Sequence, residues 1–364
     1  MLNWGGIPIL NGPESGRFGA GGMGCMLERP EIEDARLVAG LRDGYGLTAV
    51  QIDFLPLGAD VHTAVFRVLA GDGTPYFYKL RKGAFDETSV VLAKFLHDQG
   101  IMQIIPPLVG QSGQLWETLD AYKTILYPFV DGQNGYEAAL SAAQWEGLGR
   151  ALKKVHTAVV PGALAGRIRR ETYGPQFRES VRQFMAQVEA GVTGDAIARE
   201  VAAFLQARRG VVLDLVAHAE RLAEMLLARP LAMVVCHSDL HAGNILLGRS
   251  GDVYLVDWDE PILAPKERDL MYVGGGLMAS GLAPYEEERL FYRGYGETEV
   301  QATAVTYYRL ERIIQDIDAY CRELLLTDAG GEDRAQSLVY LQSNFLPGQT
   351  IDIAYGQWRI ASLR

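Results

Sequence analysis

The chain has few of the residues that mark a secreted, a membrane-spanning or a nucleic-acid-binding protein. It has 3 cysteines in 364 residues, widely spaced and odd in number, which fits a reducing compartment and neither a disulfide framework nor a zinc site. A membrane-spanning helix would need about 18 consecutive apolar residues, and no such run is present. The formal net charge is -11 at pH 7, whereas binding to a polyanion depends on clustered lysine and arginine. We therefore expect a cytoplasmic protein that binds neither nucleic acid nor membrane.

The composition otherwise predicts a globular protein with two lobes. Apolar residues make up 48% of the chain and charged residues 22%, and the length is sufficient for two cores. The first 25 residues differ from the rest: they are rich in glycine, almost without charge, and show neither helical nor strand periodicity. They also lack the basic start and apolar core of a secretory signal. We predict that residues 1–25 are a flexible extension.

Residues 26–127 predict a small antiparallel sheet with one inserted helix. After a helical segment at 31–45, short runs of β-branched and aromatic residues indicate five strands, and a Gly-Asp-Gly turn joins the second to the third. The predicted strands lie at 50–57, 63–69, 75–80, 115–118 and 123–130. The inserted helix, at 86–99, has one apolar face and ends at a glycine.

The remainder, residues 132–364, predicts a larger and mainly helical lobe that follows a hinge at 128–131. Apolar residues recur at helical spacing in five segments, at 141–157, 177–190, 195–228, 285–294 and 299–326. The exception is 231–259, where two short buried strands flank polar loops. The fold class is therefore α+β and bilobal.

Those polar loops carry two acids and an amide at a spacing that suits phosphoryl transfer. Asn244 lies five residues after Asp239, and Asp257 follows thirteen residues later. A transferred phosphoryl group is highly charged, so the protein mainly has to hold Mg²⁺ and aim a hydroxyl nucleophile. We predict Asp239, in a catalytic loop at 236–244, as the base, and Asn244 and Asp257 as Mg²⁺ ligands, the latter in a segment at 256–259. The alternatives are a helix cap at Asp239 and a turn residue at Asn244.

The motifs His237-Ser238-Asp239 and Asp257-Trp258-Asp259 resemble the catalytic loop and the metal-binding Asp of protein kinases. Only eleven residues separate Asp257 from Asp269, where a helix is predicted to begin, and they are too few for a typical activation loop. The stretch at 257–270 is similar to the aminoglycoside phosphotransferase family of small-molecule kinases, in particular to its spectinomycin branch. The resemblance implies a protein-kinase-like fold and transfer of the γ-phosphoryl group of ATP to a hydroxyl.

The same resemblance assigns the nucleotide-binding residues. Lys79 corresponds to the strand lysine that contacts the α- and β-phosphates, with Glu87 as its partner. The segment at 57–66 takes the place of the phosphate-covering loop, although it has one glycine in place of three. The residues implied to contact ATP through their backbone are Asp60, Val61, His62 and Thr63 at the phosphates, and Tyr127 and Phe129 at the adenine.

The sequence gives fewer signals for the residues that bind the acceptor molecule. Helical spacing puts Tyr308, Glu311 and Gln315 on one face, which would bind ammonium groups if it lined the cleft; the alternative is a solvated face. Asp259 shares a side with Asp257 and assists the metal or faces the substrate, unless it is a surface acid before Pro261. The acidic net charge favours a cationic acceptor.

The prediction is thus a kinase that acts on spectinomycin or an aminoglycoside-like molecule, and the resemblance connects it to antibiotic resistance. The alternatives are a kinase of a metabolic alcohol such as choline, homoserine or methylthioribose, and a catalytically silent nucleotide-binding module. The joint presence of Asp239, Asn244, Asp257 and Lys79 argues against the silent module, which has no need for all four.

Overall fold

The computed structural model describes residues 29–57, 62–278, 280–327 and 331–361. The predicted extension at 1–25 and four residues of the predicted phosphate-covering loop, 58–61, which include Asp60 and Val61, lie outside the described residues. Within the described ranges, no helix has both the length and the apolar character that crossing a membrane requires.

The N-terminal part is a five-stranded antiparallel sheet with two helices, one before the first strand and one between the third and fourth strands. The strands are β1 (Ala49–Leu55), β2 (Thr63–Ala70), β3 (Pro75–Lys82), β4 (Glu117–Leu119) and β5 (Tyr122–Pro128), in the order β1-β2-β3-β5-β4. Helix α1 (Asp34–Tyr45) precedes them, and α2 (Thr88–Asp98) lies between β3 and β4. Leu37 and Leu41, one turn apart on α1, are buried in the same core as Phe66 of β2 and Leu80 of β3.

The C-terminal part is mainly helical and is built around one long helix. Its first helices are α3 (Ala142–Thr157), α4 (Gly162–Ala165), α5 (Gln176–Ala190), α6 (Ala196–Ala207), α7 (Arg209–Ala228) and α8 (Glu267–Leu270). They are followed by α9 (Pro284–Tyr295), α10 (Ala302–Leu326), α11 (Gly331–Ser343) and α12 (Thr350–Ala361). Helix α10 packs against α5, α7 and α12, because apolar residues such as Ile313, Ile317 and Leu324 bury several of its sides.

Two small sheets carry the polar loops. One joins β6 (Gly132–Asn134), β9 (Ile245–Gly248) and β10 (Val253–Leu255); the other joins β7 (Arg169–Arg170), β8 (Val234–Cys236) and β11 (Ile262–Ala264). The chain between β8 and β9 is the predicted catalytic loop, which ends in a 3₁₀ turn (Ala242–Asn244). The chain between β10 and β11 contains the predicted metal-binding segment. Both loops are therefore anchored at each end by hydrogen-bonded strands.

The predicted α+β, bilobal and kinase-like fold is confirmed. The helix predicted to begin at Asp269 begins two residues earlier, at Glu267, so Asp269 lies inside α8. Helices α4, α11 and α12 were not predicted. Nor were the strands β6, β7 and β11, because three residues or fewer give no readable alternation. Gly132 begins β6 so close to the Leu247 carbonyl that a larger residue would clash there.

Candidate active site

The two carboxylate oxygens of Asp239 have different surroundings. Oδ1 accepts hydrogen bonds from Arg312 Nη1 at 2.6 Å and from the Tyr272 hydroxyl at 3.1 Å. Oδ2 lies 3.5 Å from His241 Nε2 and 3.4 Å from Asn244 Nδ2. Because good hydrogen bonds to a carboxylate are near 2.7–2.9 Å, Oδ1 is firmly held and Oδ2 retains capacity for a further donor.

Asp239 is held as an ionised carboxylate. Burial raises its pKa, but the hydrogen bond from His241 and the positive charge of Arg312 outweigh burial and keep the pKa well below its ordinary value. A carboxylate this acidic is a weak base at neutral pH. It is therefore suited to orienting a hydroxyl group and to receiving its proton late.

The backbone of the catalytic loop is fixed by Asp269 of α8. Its Oδ2 accepts from the His237 N–H at 2.9 Å and lies 3.0 Å from His156 Nε2, and its Oδ1 accepts from the Ser238 N–H at 2.8 Å. Ser238 has a φ of 75°, which non-glycine residues rarely adopt, and its hydroxyl donates to the Glu260 carbonyl at 2.7 Å. The conformation that presents Asp239 is thus imposed by several surrounding groups.

Hydrogen bonds of Val256, next to Asp257, join this segment to the catalytic loop. His237 Nε2 lies 2.8 Å from the Val256 carbonyl, and the Val256 N–H donates to the Asn244 carbonyl at 3.0 Å. Asn244 Nδ2 in turn donates to the Asp239 carbonyl at 2.8 Å, which fixes the amide and leaves its Oδ1 as an acceptor. Asp257 itself has a φ of 64°. The structure therefore brings the two acids and the amide together, as the sequence predicted.

Lys79 of β3 crosses to the same segment. Its Nζ lies 3.1 Å from Asp257 Oδ1 and 2.8 Å from both carboxylate oxygens of Asp259. Burial lowers the pKa of Lys79, but the two carboxylates raise it by more, so the ammonium stays charged. Arg81, two residues along the strand, donates to Asp259 Oδ2 at 2.6 Å.

The predicted ion pair between Lys79 and Glu87 is wrong for this structure. Glu87 lies at the N-terminal cap of α2 and accepts from Arg167 Nη2 at 2.7 Å and from Trp116 Nε1 at 3.3 Å. Lys79 needs no third carboxylate because two aspartates already surround it. Whether Glu87 contributes to nucleotide binding stays a prediction.

The described end of the phosphate-covering loop is already part of the sheet. His62 has its carbonyl bound to the Lys82 N–H at 2.8 Å, and Thr63 begins β2 opposite Arg81. These contacts place His62 and Thr63 beside the end of β3, where Arg81 is two residues from Lys79. The predicted contact of His62 and Thr63 with phosphate stays a prediction.

Tyr127 and Phe129 lie at the C-terminal end of β5. Tyr127 pairs with Phe77 across β3 and β5, and the Phe129 N–H donates to the Pro75 carbonyl at 3.3 Å. The Phe129 ring lies 5.3 Å from the Arg67 guanidinium carbon. Burial raises the pKa of Tyr127, so its phenol stays neutral beside the Lys79 cluster. The proposed contacts of both residues with adenine stay predictions.

A cavity of about 360 Å³ lies beside the Lys79–Asp259 pair. Its walls include Arg81 of β3, Ser89 of α2 and Arg169 of β7. It therefore lies on the α2 side of the pair, between residues of the N-terminal part and residues of the C-terminal part.

The predicted acceptor face of α10 is wrong in its position. Tyr308 and Glu311 are buried, and Glu311 Oε2 accepts from Arg178 Nη1 at 2.8 Å. Burial raises the pKa of Glu311 to about 7, against the opposing charge of Arg178. Gln315 is half-buried. Since a helix turns by 100° per residue, the stripe that meets Asp239 lies one residue further on.

That stripe consists of Arg312 and Asp316, which sequence reasoning missed. Arg312 Nε donates to Asp316 Oδ1 at 3.0 Å while its Nη1 reaches the catalytic loop. Opposite them, the Tyr136 ring stacks on His241 at 5.8 Å between centroids. The arginine–aspartate spacing of four residues was a signal in the sequence, but the same spacing is common on solvated helices.

Comparison with known proteins agrees with this geometry. The profile of the phosphotransferase enzyme family matches residues 53–298. The structure of spectinomycin phosphotransferase APH(9)-Ia, in complex with ADP and spectinomycin, is 35% identical with a TM-score of 0.84, and the match covers 91% of this chain and 100% of that one. Protein StrN of Streptomyces griseus is 25% identical over 232 residues, 60% of this chain and 67% of StrN. The amicoumacin kinase hAmiN shares the fold, at 15% identity and a TM-score of 0.58, over 89% of this chain and 94% of that one.

Proposed function

The chain belongs to the phosphotransferase enzyme family and is a small-molecule kinase, and from this we propose that it moves the γ-phosphoryl group of ATP to a hydroxyl of spectinomycin or a similar cationic molecule. The observation that carries the proposal is the network that joins Asp239 through Asn244 to the Asp257 segment, next to Lys79. This grouping has the charges that phosphoryl transfer needs. We also propose that residues 26–127 and 132–364 act as two lobes about a hinge at 128–131.

Lys79 is proposed to hold the α- and β-phosphates. Its charge is at present shared by Asp257 and Asp259, so phosphate oxygens would replace one or both carboxylates around the same ammonium group. Backbone groups of 60–63 are proposed to complete the phosphate side. Tyr127 and Phe129 are proposed to offer backbone groups to the adenine. The related enzyme bound to ADP supports a nucleotide at this place.

Asn244 and Asp257 fit Mg²⁺ as its protein ligands. Both offer oxygen atoms, the donor type that this hard cation prefers. Asn244 is anchored through its nitrogen, so its oxygen is the free end of the amide. The Asp257 side chain is 49% exposed and retains one oxygen beyond the contact with Lys79. When bound here, Mg²⁺ neutralises the charge that develops on the transferred group.

Asp239 is proposed to orient the acceptor hydroxyl through Oδ2. As the bond from the acceptor oxygen to the γ-phosphorus forms, the bond from that phosphorus to the bridging oxygen of ADP breaks, and the hydroxyl proton passes to Asp239 and then to solvent. The low pKa of Asp239 is compatible with this order, since a loose transition state needs little removal of the proton beforehand.

A cationic acceptor is supported by the carboxylates that face the acceptor side. Asp239 and Asp316, which both bind Arg312, are proposed to lie on the acceptor side, where the Tyr136 ring adds an aromatic face that suits an ammonium group. The net charge of -11 would in addition attract such a molecule from a distance. The solved structure of a relative that contains spectinomycin supports the same class.

Release of ADP tests the proposal over a panel of spectinomycin, aminoglycosides, choline, homoserine and methylthioribose. We expect ATP consumption that depends on spectinomycin, and a loss of about 100-fold or more in kcat for Asp239→Asn. Asp43→Asn, an exposed acid at the end of α1, is the matched control and should leave kcat unchanged. Turnover of choline alone would remove the antibiotic class, and an unchanged kcat for Asp239→Asn would remove the proposed role of this residue. If spectinomycin is the acceptor, expression of the protein in a susceptible bacterium should raise the concentration of spectinomycin that inhibits growth.

A further inference from the structure

We propose that Arg312 of α10 is a positioning residue for phosphoryl transfer, which turns the Asp239 carboxylate so that Oδ2 meets the acceptor hydroxyl. The inference rests on the proposed function, since it takes Asp239 as the residue that contacts the acceptor. It adds a residue and a direction that the motif around Asp239 does not contain.

The contacts of Arg312 form a chain from α10 to the catalytic loop. Its Nη1 lies 2.6 Å from Asp239 Oδ1 and 3.4 Å from the Tyr272 hydroxyl, and its Nε lies 3.0 Å from Asp316 Oδ1. The side chain is 21% exposed, so most of it is held in place by its surroundings. A guanidinium group is planar with donors in fixed directions, and its orientation is therefore transferred to the carboxylate it binds.

The surroundings of Asp239 show what this orientation achieves. A carboxylate rotates easily about its terminal bond, and two equivalent oxygens would otherwise exchange places. Arg312 and Tyr272 together hold Oδ1, and the Tyr272 hydroxyl also lies 3.1 Å from the Ser238 carbonyl. Oδ2, which lies 3.5 Å from His241 Nε2 and 3.4 Å from Asn244 Nδ2, then remains to accept a further hydrogen bond from an acceptor.

Asp316 has two consequences for this arrangement. It binds Arg312 through Nε, whereas Asp239 binds Nη1, so the guanidinium group is held by two carboxylates at once. With both carboxylates ionised, the three side chains carry charges of -1, -1 and +1, a sum of -1. The group therefore keeps one negative charge toward a cationic acceptor while Asp239 stays fixed.

The neighbouring arginines of α10 show that this role is specific to position 312. Arg309 donates to the carbonyls of Met271 and Val273 and so supports the backbone after α8. Arg322 pairs with Asp318 one turn earlier, at 2.8 Å, and is 57% exposed. Arg322 reproduces the arginine–aspartate pair of Arg312 and Asp316 away from the site, and it provides a matched control.

Steady-state kinetics of Arg312→Lys, Arg312→Ala, Asp316→Asn and the control Arg322→Lys test the inference, with spectinomycin as acceptor and the melting temperature of each variant as a check on folding. Lysine keeps the charge but lacks the planar guanidinium group whose donors point in fixed directions, so we expect kcat of Arg312→Lys to fall by about 10- to 100-fold, the effect of a small misplacement at the reacting centre. The KM for ATP should stay within about 2-fold of the parent value, because Arg312 does not contact the nucleotide side. Asp316→Asn should lower kcat by less, and Arg322→Lys should match the parent.

Chemical rescue supplies a readout that a purely structural role would not give. Methylguanidine should restore kcat of Arg312→Ala by several-fold, while methylammonium and sodium chloride at equal ionic strength should not. If Arg312→Ala does not fold, Arg312→Lys and Asp316→Asn decide the question. Folded Arg312 variants with the parent kcat would overturn the inference and leave the proposed function intact, provided that Asp239→Asn is inactive. If Asp239→Asn is itself active, the proposed function fails first.

Discussion

Lys79 of the N-terminal sheet and Asp259 of the segment after β10 form a two-pronged ion pair, with Nζ 2.8 Å from each carboxylate oxygen. The pair joins the two lobes at the point where the phosphates of a nucleotide are proposed to lie. Arg81, two residues after Lys79 on β3, donates a hydrogen bond to the same carboxylate. Asp259 can therefore keep a cationic partner when Lys79 turns toward phosphate.

The first prediction concerns Lys79. Lys79→Met removes the ammonium group that is proposed to meet the phosphates, so the KM for ATP should rise by about 10-fold or more, since charge-assisted hydrogen bonds contribute about 1.5–3 kcal/mol. The KM for the acceptor should change little. Lys82→Met, at the exposed end of the same strand, is the control. Equal ATP dependence of the two variants would show that Lys79 does not bind the nucleotide.

Asp257 and Asp259 should differ in their effect on Mg²⁺. Asp257→Asn removes a proposed ligand, so the Mg²⁺ concentration for half-maximal activity should rise by about 10-fold or more. Asp259→Asn removes a carboxylate that Lys79 and Arg81 already occupy, and its Mg²⁺ dependence should stay within about 3-fold of the parent. Titration of activity with Mg²⁺ at saturating ATP distinguishes them. A shift of equal size in both variants would make Asp259 a ligand as well.

Asp269 should make the stability of the protein dependent on acid pH. Burial raises its pKa, but the hydrogen bond and charge of His156 lower it by more, so the folded-state pKa lies below the unfolded value of about 3.9. A group of this kind contributes stability above its unfolded pKa, and the contribution is lost as the pH falls through the folded pKa. Asp269→Asn should thus lower the free energy of unfolding by about 1–3 kcal/mol at pH 7, and by less near pH 3.

Urea unfolding of the parent and Asp269→Asn between pH 3 and pH 7 measures this difference. The variant should also lose kcat, because the His237 and Ser238 amides lose a charged acceptor. Asp98→Asn, an exposed acid that pairs with Lys94, is the control. A difference in stability that is constant with pH would show that the Asp269 charge is not the cause.

The central part of the site was readable from the sequence because its spacing is local. Asp239 and Asn244 lie in one short loop, and a single hairpin of β9 and β10 returns the chain to Asp257, so the fold of a few dozen residues determines where all three meet. The partner of Lys79 was not readable. Glu87 and Asp259 are both acids at suitable places along the chain, and the choice between them depends on how α2 packs against the sheet.

The prediction of the acceptor-binding face of α10 failed for a different reason. Buried residues lie around most of the circumference of helix α10, among them Tyr307, Leu310, Ile313 and Ile314. No single apolar stripe therefore indicates which face of the helix lines the cleft. A rotation by one residue then exchanges Glu311 for Arg312. Only the packing of α10 against α5 and α8 decides between them.

Because Glu311 is buried, we expect its substitution to change the stability of the protein and not the binding of substrate. Glu311 and Arg178 form a buried ion pair at 2.8 Å, with side chains 6% and 3% exposed. Glu311→Leu would leave the Arg178 guanidinium without its carboxylate, which should lower the free energy of unfolding by about 3–5 kcal/mol. The KM for a diamine acceptor should not change in protein that remains folded, because the side chain does not reach the cleft.

Removing both partners tests whether the pair itself is responsible. In Arg178→Met with Glu311→Leu no unpaired charge remains buried, so the double variant should be more stable than Glu311→Leu alone, although it has one substitution more. Urea unfolding of the two single variants and the double variant gives the coupling energy. Additive losses would mean that Arg178 finds compensation in the Tyr173 and Gly174 carbonyls it already contacts. A raised KM for the acceptor in a fully folded Glu311→Leu would instead return Glu311 to the acceptor site.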